Sequence, residues 1–139
     1  LYEMYKDKGI TKVCGVESRG FIIGAALAYR LGAGFILIRK PGKLPYEKVS
    51  LEYKIEYVFD RIEMLKDSIT TDDTVLIHDD LLATGGTLLA ACELVKTFKP
   101  KKVLVNCIIE LTNFHAKEKF PQDCPVDSFI SIDEFDGVQ

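Results

Sequence analysis

The chain has 139 residues, of which 47% are hydrophobic and 28% charged, and its formal net charge is −3. That length supports one domain with a real core, and the composition is that of an ordinary folded protein. The slight acidity argues against nucleic acid as a bulk electrostatic partner, no apolar run reaches membrane-spanning length, and no secretory signal opens the chain.

Leu1 to Lys8 is dense in Tyr, Glu and Lys and has no N-cap before it. It reads as the tail of a helix stopped at Gly9, so the chain opens in mid-element, as a truncated start would. Ile10 to Val16 is expected as a strand, and Phe21 to Leu31 as an Ala-rich helix. Between them lies Glu17-Ser18-Arg19-Gly20, an acid, a hydroxyl, a cation and a glycine placed before a helix N-terminus. Arg19 there is suited to pairing with an anion. Gly34 to Arg39 is a third strand. It runs into Arg39-Lys40-Pro41-Gly42-Lys43-Leu44-Pro45, a stiff, exposed, electropositive turn. Tyr46 to Tyr57 is polar without a clean period and reads as a lid lacking regular structure. Val58 to Leu65 fits either a strand or a short helix. Thr71-Asp72-Asp73 reads as a turn whose acids are not ligands.

The stretch from Thr74 to Thr87 organises the rest. Val75 to Ile77 is a β-branched apolar run, expected as a buried parallel strand. Asp79 and Asp80 sit where it ends, the position at which open α/β sheets bind ligands. Ala83-Thr84-Gly85-Gly86-Thr87 then leads into a helix. Its glycines let N–H groups approach an anion, the helix contributes its positive dipole end, and Thr84 and Thr87 add hydroxyls. Acids suited to sugar hydroxyls beside a phosphate cradle describe a site for a sugar phosphate. Neither G-x-x-x-x-G-K-[ST] nor G-x-G-x-x-G occurs, which argues against a P-loop and a dinucleotide fold. Leu88, Ala91, Cys92, Val95 and Phe98 keep helical spacing up to Pro100. Lys102 to Leu111 is a further buried strand, Asn113 to Phe120 a short helix, and Phe129 to Ile132 a last strand. This alternation implies a parallel sheet with right-handed crossovers. Strand alternation turns His78 away from Asp79, into packing, and His115 lies on a surface helix. The cysteines show no C-x-x-C pairing and no zinc pattern. Three of the four lie in apolar segments and read as buried thiols of a reducing cytoplasm.

The string Asp79-Asp80-Leu81-Leu82-Ala83-Thr84-Gly85-Gly86-Thr87 resembles the phosphoribosyl-pyrophosphate signature of type I phosphoribosyltransferases, in the form found in the adenine enzymes of that family. Glu17-Ser18-Arg19-Gly20-Phe21 resembles the family's pyrophosphate loop, and Arg39 to Pro45 a string distinctive of its adenine branch. The resemblance spans nearly the whole chain and thins after Leu111. It implies an α/β type I phosphoribosyltransferase-like fold, a central, mostly parallel twisted sheet flanked by helices. It implies a single domain over 1–139 with a flexible catalytic loop over 40–57, closed by an antiparallel pair that makes Val58 to Leu65 a strand. The activity implied is transfer of the 5-phosphoribosyl group from phosphoribosyl pyrophosphate to adenine, giving AMP and pyrophosphate, in a cytoplasmic homodimer that uses neither nucleic acid nor membrane. A phosphoribosyltransferase for another purine, or a non-catalytic sensor of phosphoribosyl pyrophosphate, are the alternatives.

The same resemblance implies roles for residues. Ser18, Arg19, Arg39, Lys40 and Lys43 face pyrophosphate, with the arginine of the basic turn reaching the active site of the partner subunit. Asp79 and Asp80 take the ribose hydroxyls, Leu81 offers an apolar face to the purine, and Ala83, Thr84, Gly85, Gly86 and Thr87 hold the 5′-phosphate. Glu52 is the catalytic glutamate that handles the proton on the base, and Tyr53 is the loop tyrosine. Mg²⁺ is carried mainly by the pyrophosphate, without direct protein ligands. A cis peptide is expected between Glu17 and Ser18. Val58 follows Glu56-Tyr57 where the family usually has a glycine, which would stiffen the lid hinge. Part of the adenine pocket is expected N-terminal to Leu1.

Overall fold

The computed structural model describes residues 1–55 and 58–133. In chain order these form α1 (Tyr2–Tyr5), β1 (Lys12–Val16), α2 (Gly20–Leu31), β2 (Gly34–Ile38), β3 (Lys48–Ile55), β4 (Val58–Leu65), β5 (Thr74–Leu82), α3 (Gly86–Lys96), β6 (Lys102–Leu111) and β7 (Val126–Ile132). Five strands make one sheet in the order β2-β1-β5-β6-β7, every neighbouring pair parallel. The strands β3 and β4 form a separate antiparallel hairpin.

Alternation along β5 distributes the two core layers. Val75 and Ile77 pack with Leu88, Ala91, Leu94 and Val95 of α3. Leu76 points the other way, with Leu27 and Ala28 of α2 and Tyr5 of α1. All three strand residues are fully buried, and each such side chain contributes about 1.5–3 kcal/mol from the water it sheds. β5 is paired on both edges, so its near-continuous apolar run is the pattern of a buried parallel strand.

Four expectations need correction. First, the segment expected to lack regular structure carries β3 over Lys48–Ile55. Val49, Leu51 and Tyr53 are half-buried against the core, alternating with exposed Lys48, Ser50, Glu52 and Lys54. This is period-two strand patterning, concealed because its buried members are few and one is a tyrosine. Glu56 and Tyr57, and with them the hinge expectation at Val58, lie outside the described residues. Second, β5 does not end before the acids. It runs through Asp79 and Asp80, and Leu81 and Leu82 still pair with Ile109 and Glu110. Leu82 is buried, so pairing continues past the two polar positions. Third, Asn113 to Phe120 is not one helix but two 3₁₀ turns, Thr112–Phe114 and Ala116–Lys119. His115 between them has φ 53°, a left-handed conformation that cannot propagate a helix. Fourth, β7 begins at Val126, ahead of Phe129. The strand reading of Val58 to Leu65 holds.

The turn into β5 is tied to β1 by one carboxylate. Asp73 accepts from the Thr70 N–H at 2.8 Å and the Thr11 hydroxyl at 2.8 Å, and pairs with Lys12 at 3.1 Å. Burial alone would push its pKa up, but these donors and the Lys12 charge outweigh that and hold it below the ordinary carboxylate range. A depressed folded-state pKa gives stability that is present above about pH 4 and lost as the pH falls through the folded value. Asp73→Ala is expected to cost about 2 kcal/mol at pH 7 by urea unfolding. Asp73→Asn should show a shallower loss of stability on acidification than the parent.

Candidate active site

Parallel pairing sets the C-terminal ends of β1, β2 and β5 side by side, with Val16 opposite Ile38 and Gly15 opposite His78. The segments leaving those ends enclose a cleft of about 450 Å³, within the usual size of a small-molecule site. Three segments meet there: Glu17-Ser18-Arg19, Lys40, and the run from Asp79 to Leu88.

The loop from Ala83 to Thr87 forms one wall. Gly85 has φ +88°, and a Cβ there would lie 3.1 Å from the Ala116 Cβ, so both conformation and space call for glycine. α3 starts at the next residue, and its first N–H groups, which have no partner within the helix, offer donors to an anion with the positive end of the helix dipole behind them. Thr84 and Thr87 line the same wall.

The acids sit opposite. The Asp80 N–H donates to Asp79 Oδ1 at 2.8 Å. Burial raises the Asp79 pKa, the neighbouring Asp80 raises it further, and Arg19 opposes both only in part. Asp80 pairs with Arg19 Nε at 2.6 Å. The start of α2 comes in close at this point. A Cβ on Gly20 would lie 2.9 Å from the His78 carbonyl oxygen and 3.3 Å from Asp79 Cα. Only glycine lets the Arg19 loop reach the acids. The peptide between Glu17 and Ser18 is cis, as expected.

The basic turn is organised by Glu17, which the sequence reading left out of the site. Its carboxylate accepts the Lys40 backbone N–H and lies 3.5 Å from Arg39 Nε and 3.7 Å from Lys43 Nζ. Burial opposes its charge, yet that hydrogen bond and the two cations hold its pKa below normal. Lys40 lines the cleft and pairs with Asp60 of β4. Its ammonium also donates to the Tyr53 hydroxyl at 3.1 Å, and that hydroxyl lies 3.3 Å from Thr87 Oγ1. The hairpin is thereby tied to the phosphate-type loop. The Lys40 pKa is raised and that of Asp60 lowered by their pairing, with burial working against both.

Of the sequence candidates, Ser18, Arg19, Lys40, Asp79, Asp80, Leu81 and the run from Ala83 to Thr87 share this one cleft. Tyr53 reaches it through Thr87 and Lys40. Arg39 and Lys43 do not line the cleft; they gather behind it at Glu17. Glu52 is not brought in. Strand alternation puts it on the opposite face of β3 from Tyr53, half exposed and paired with Arg61 at 3.2 Å. Glu17 and Asp60 are the additions. The signal for Glu17 was an acid at a strand end facing a cluster of cations, whereas Asp60 became visible only through the β3–β4 pairing. His78 is fully buried and bonds Asn106 Oδ1 through Nδ1 at 2.9 Å. Burial lowers its pKa, the Asn106 bond opposing, which leaves a packed, neutral histidine outside the cleft. Among the described residues, no three His, Cys, Asp or Glu side chains converge to hold a metal ion, and all four cysteines are buried and unpaired.

The family model for a phosphoribosyl transferase domain matches residues 1–138. The adenine phosphoribosyltransferase of Bacteroides thetaiotaomicron is 59% identical over 132 residues, covering 95% of this chain and 75% of the relative. That of Bacteroides fragilis is 61% identical over 127 residues, covering 91% and 71%. Among solved structures, the adenine phosphoribosyltransferase of Rhodothermus marinus superposes with a TM-score of 0.89 at 44% identity, over 94% of this chain and 74% of that one. The Giardia lamblia enzyme complexed with 9-deazaadenine gives 0.89 at 43%, over 95% and 75%.

Because the Asp79 carboxyl is less acidic in the folded protein than in the unfolded chain, its ionisation costs stability, and that cost grows as the pH rises above about 4. Asp79→Asn is therefore expected to melt about 3 °C higher than the parent at neutral pH and level with it near pH 4, by scanning calorimetry.

Proposed function

The chain belongs to the adenine phosphoribosyltransferase family, and from that premise we propose how this cleft transfers the 5-phosphoribosyl group from phosphoribosyl pyrophosphate to adenine, giving AMP and pyrophosphate in purine salvage. The observation that carries the reading is the juxtaposition, across one cleft, of the Asp79–Asp80 pair, the Ala83 to Thr87 loop and the cations Arg19 and Lys40.

Displacing pyrophosphate from the anomeric carbon builds positive charge on the ribose, as in glycoside chemistry. Asp79 and Asp80 accept the ribose hydroxyls and stabilise that charge electrostatically. The N–H groups at the start of α3, with Thr84 and Thr87, hold the 5′-phosphate. Ser18, Arg19 and Lys40 face the pyrophosphate, and Arg39 and Lys43 support them from behind. Leu81 lies against the purine. Mg²⁺ neutralises part of the pyrophosphate charge when bound. Magnesium's preference for keeping water ligands suits an ion carried on the donor's oxygens. The hairpin is tied to the cleft through Tyr53, and its closing over the bound donor would exclude water that would otherwise hydrolyse it. Glu52 lies outside this arrangement. We place the protein in the cytoplasm, where four unpaired thiols persist. We read it as a homodimer, supported by Ile22 and Tyr29, which are 73% and 87% exposed on α2.

The direct test is pyrophosphate release with phosphoribosyl pyrophosphate, Mg²⁺ and each purine in turn. Release with adenine is expected. Release with hypoxanthine or xanthine instead would overturn the base assignment, and donor binding without turnover on any base would make the protein a sensor. Asp80→Asn is expected to lower kcat about 100-fold. In the parent, the rate should rise with pH as Asp79 loses its proton, along a limb displaced upward from that of an ordinary carboxylate. Glu52→Gln should keep kcat within about threefold, since the pleat of β3 sends that side chain to the face opposite Tyr53.

A further inference from the structure

The crossover between β6 and β7 braces the phosphate loop from behind. Its second 3₁₀ turn, Ala116–Lys119, and Phe120 just after it make three approaches to that loop. Ala116, fully buried, packs within 3.1 Å of where a Cβ on Gly85 would sit, and the Phe120 ring lies 3.5 Å from the same point. Lys119 Nζ donates to the Thr84 carbonyl oxygen at 3.0 Å. Lys119 does not line the cleft, whereas Thr84 and Gly85 do.

The Thr84–Gly85 peptide is trans, so its C=O and N–H point in opposite directions. A cation holding the Thr84 oxygen on the outer side turns the Gly85 N–H toward the cleft. It also draws electron density toward the carbonyl, which makes that N–H a stronger donor. The loop from Ala83 to Thr87 contains no cation of its own. The two cations that line the cleft are committed to carboxylates, Arg19 to Asp80 and Lys40 to Asp60. We infer that Lys119 is a positioning residue for the 5′-phosphate, holding the Thr84–Gly85 peptide in its anion-binding orientation and supplying the positive charge that the loop lacks. This inference deepens the assignment of the loop as the 5′-phosphate cradle and rests on it. The role comes from outside the phosphate motif, on a turn whose Lys119 lies 35 residues beyond Thr84. Lys119 is exposed, so its removal leaves the core untouched.

The experiment compares the binding of ribose 5-phosphate and of pyrophosphate, each as a competitive inhibitor against phosphoribosyl pyrophosphate, in Lys119→Met, Lys119→Arg and Thr87→Val. Lys119→Met is expected to weaken ribose 5-phosphate about fivefold and to leave pyrophosphate, which binds on the other wall, within error. Lys119→Arg should restore most of the loss, and the deficit of the methionine variant should shrink as salt is added. An equal loss for both ligands, or failure of arginine to rescue, would mean a merely structural contact and overturn the inference. If Thr87→Val weakens ribose 5-phosphate while Lys119→Met does not, the inference fails and the cradle assignment stands. If neither variant affects ribose 5-phosphate, the cradle assignment fails as well.

Discussion

The parallel register of β1, β2 and β5 is the constraint on which everything else depends. With Val16 opposite Ile38 and Gly15 opposite His78, three chain segments distant in sequence leave the sheet at one edge. Each carries charge at that point: Glu17 and Arg19 after β1, Arg39 and Lys40 after β2, and Asp79 and Asp80 within β5. Charges so close are tolerated because they are paired, Arg19 with Asp80 and Arg39 and Lys43 with Glu17, on strands anchored by a largely apolar core. A register slip of one residue would turn the buried set outward and disperse the site in the same step. Core packing and site assembly are therefore one event.

Within that frame the cleft is electrostatically divided. Asp79 is half-buried beside a second carboxylate and carries a raised pKa. Glu17 experiences burial too, but one backbone N–H and two cations gather on it and its pKa falls. The two acids lie in one cleft and are driven in opposite directions, Asp79 upward by burial and then by the like charge of Asp80, Glu17 downward by a backbone N–H and two cations. That contrast suits a reaction in which positive charge develops on the sugar and negative charge departs with pyrophosphate. The hairpin connects the two sides. Tyr53 reaches Thr87 while Lys40 joins Tyr53 to Asp60. Pairs this exposed contribute little to stability; their effect is to fix where the hairpin rests relative to the phosphate loop.

Behind the site, a buried polar chain links the layers. His78 bonds Asn106, Asn106 donates to the Asp127 carbonyl at 3.4 Å, and the Tyr5 hydroxyl reaches the Asp127 carboxylate at 3.4 Å. His78 Nε2 has no partner, an uncommon state for a buried ring nitrogen. Its neutrality follows from burial, and its ring packs between Asn106 and the Gly24 position of α2 without adding charge near the acids.

Local pattern determined much of this protein. The apolar run before Asp79, the glycines and threonines before α3, the helical spacing from Leu88 to Phe98 and the alternation of strands and helices each act over a few residues, where propensity and periodicity operate. The phosphate loop and the acid pair were legible for the same reason, since backbone approach to an anion demands particular residues in a row. Tertiary structure decided the rest. Glu52 and Tyr53 are adjacent in sequence, yet the pleat sends one to Arg61 and the other to Thr87. Asp60 acquired its place through hairpin pairing, Glu17 through the cations of a neighbouring strand end, and Lys119 through a turn folded against Gly85. None of these has a local signature, because each depends on which surface a side chain meets after distant segments pack together, and short-range patterning carries no information about that meeting.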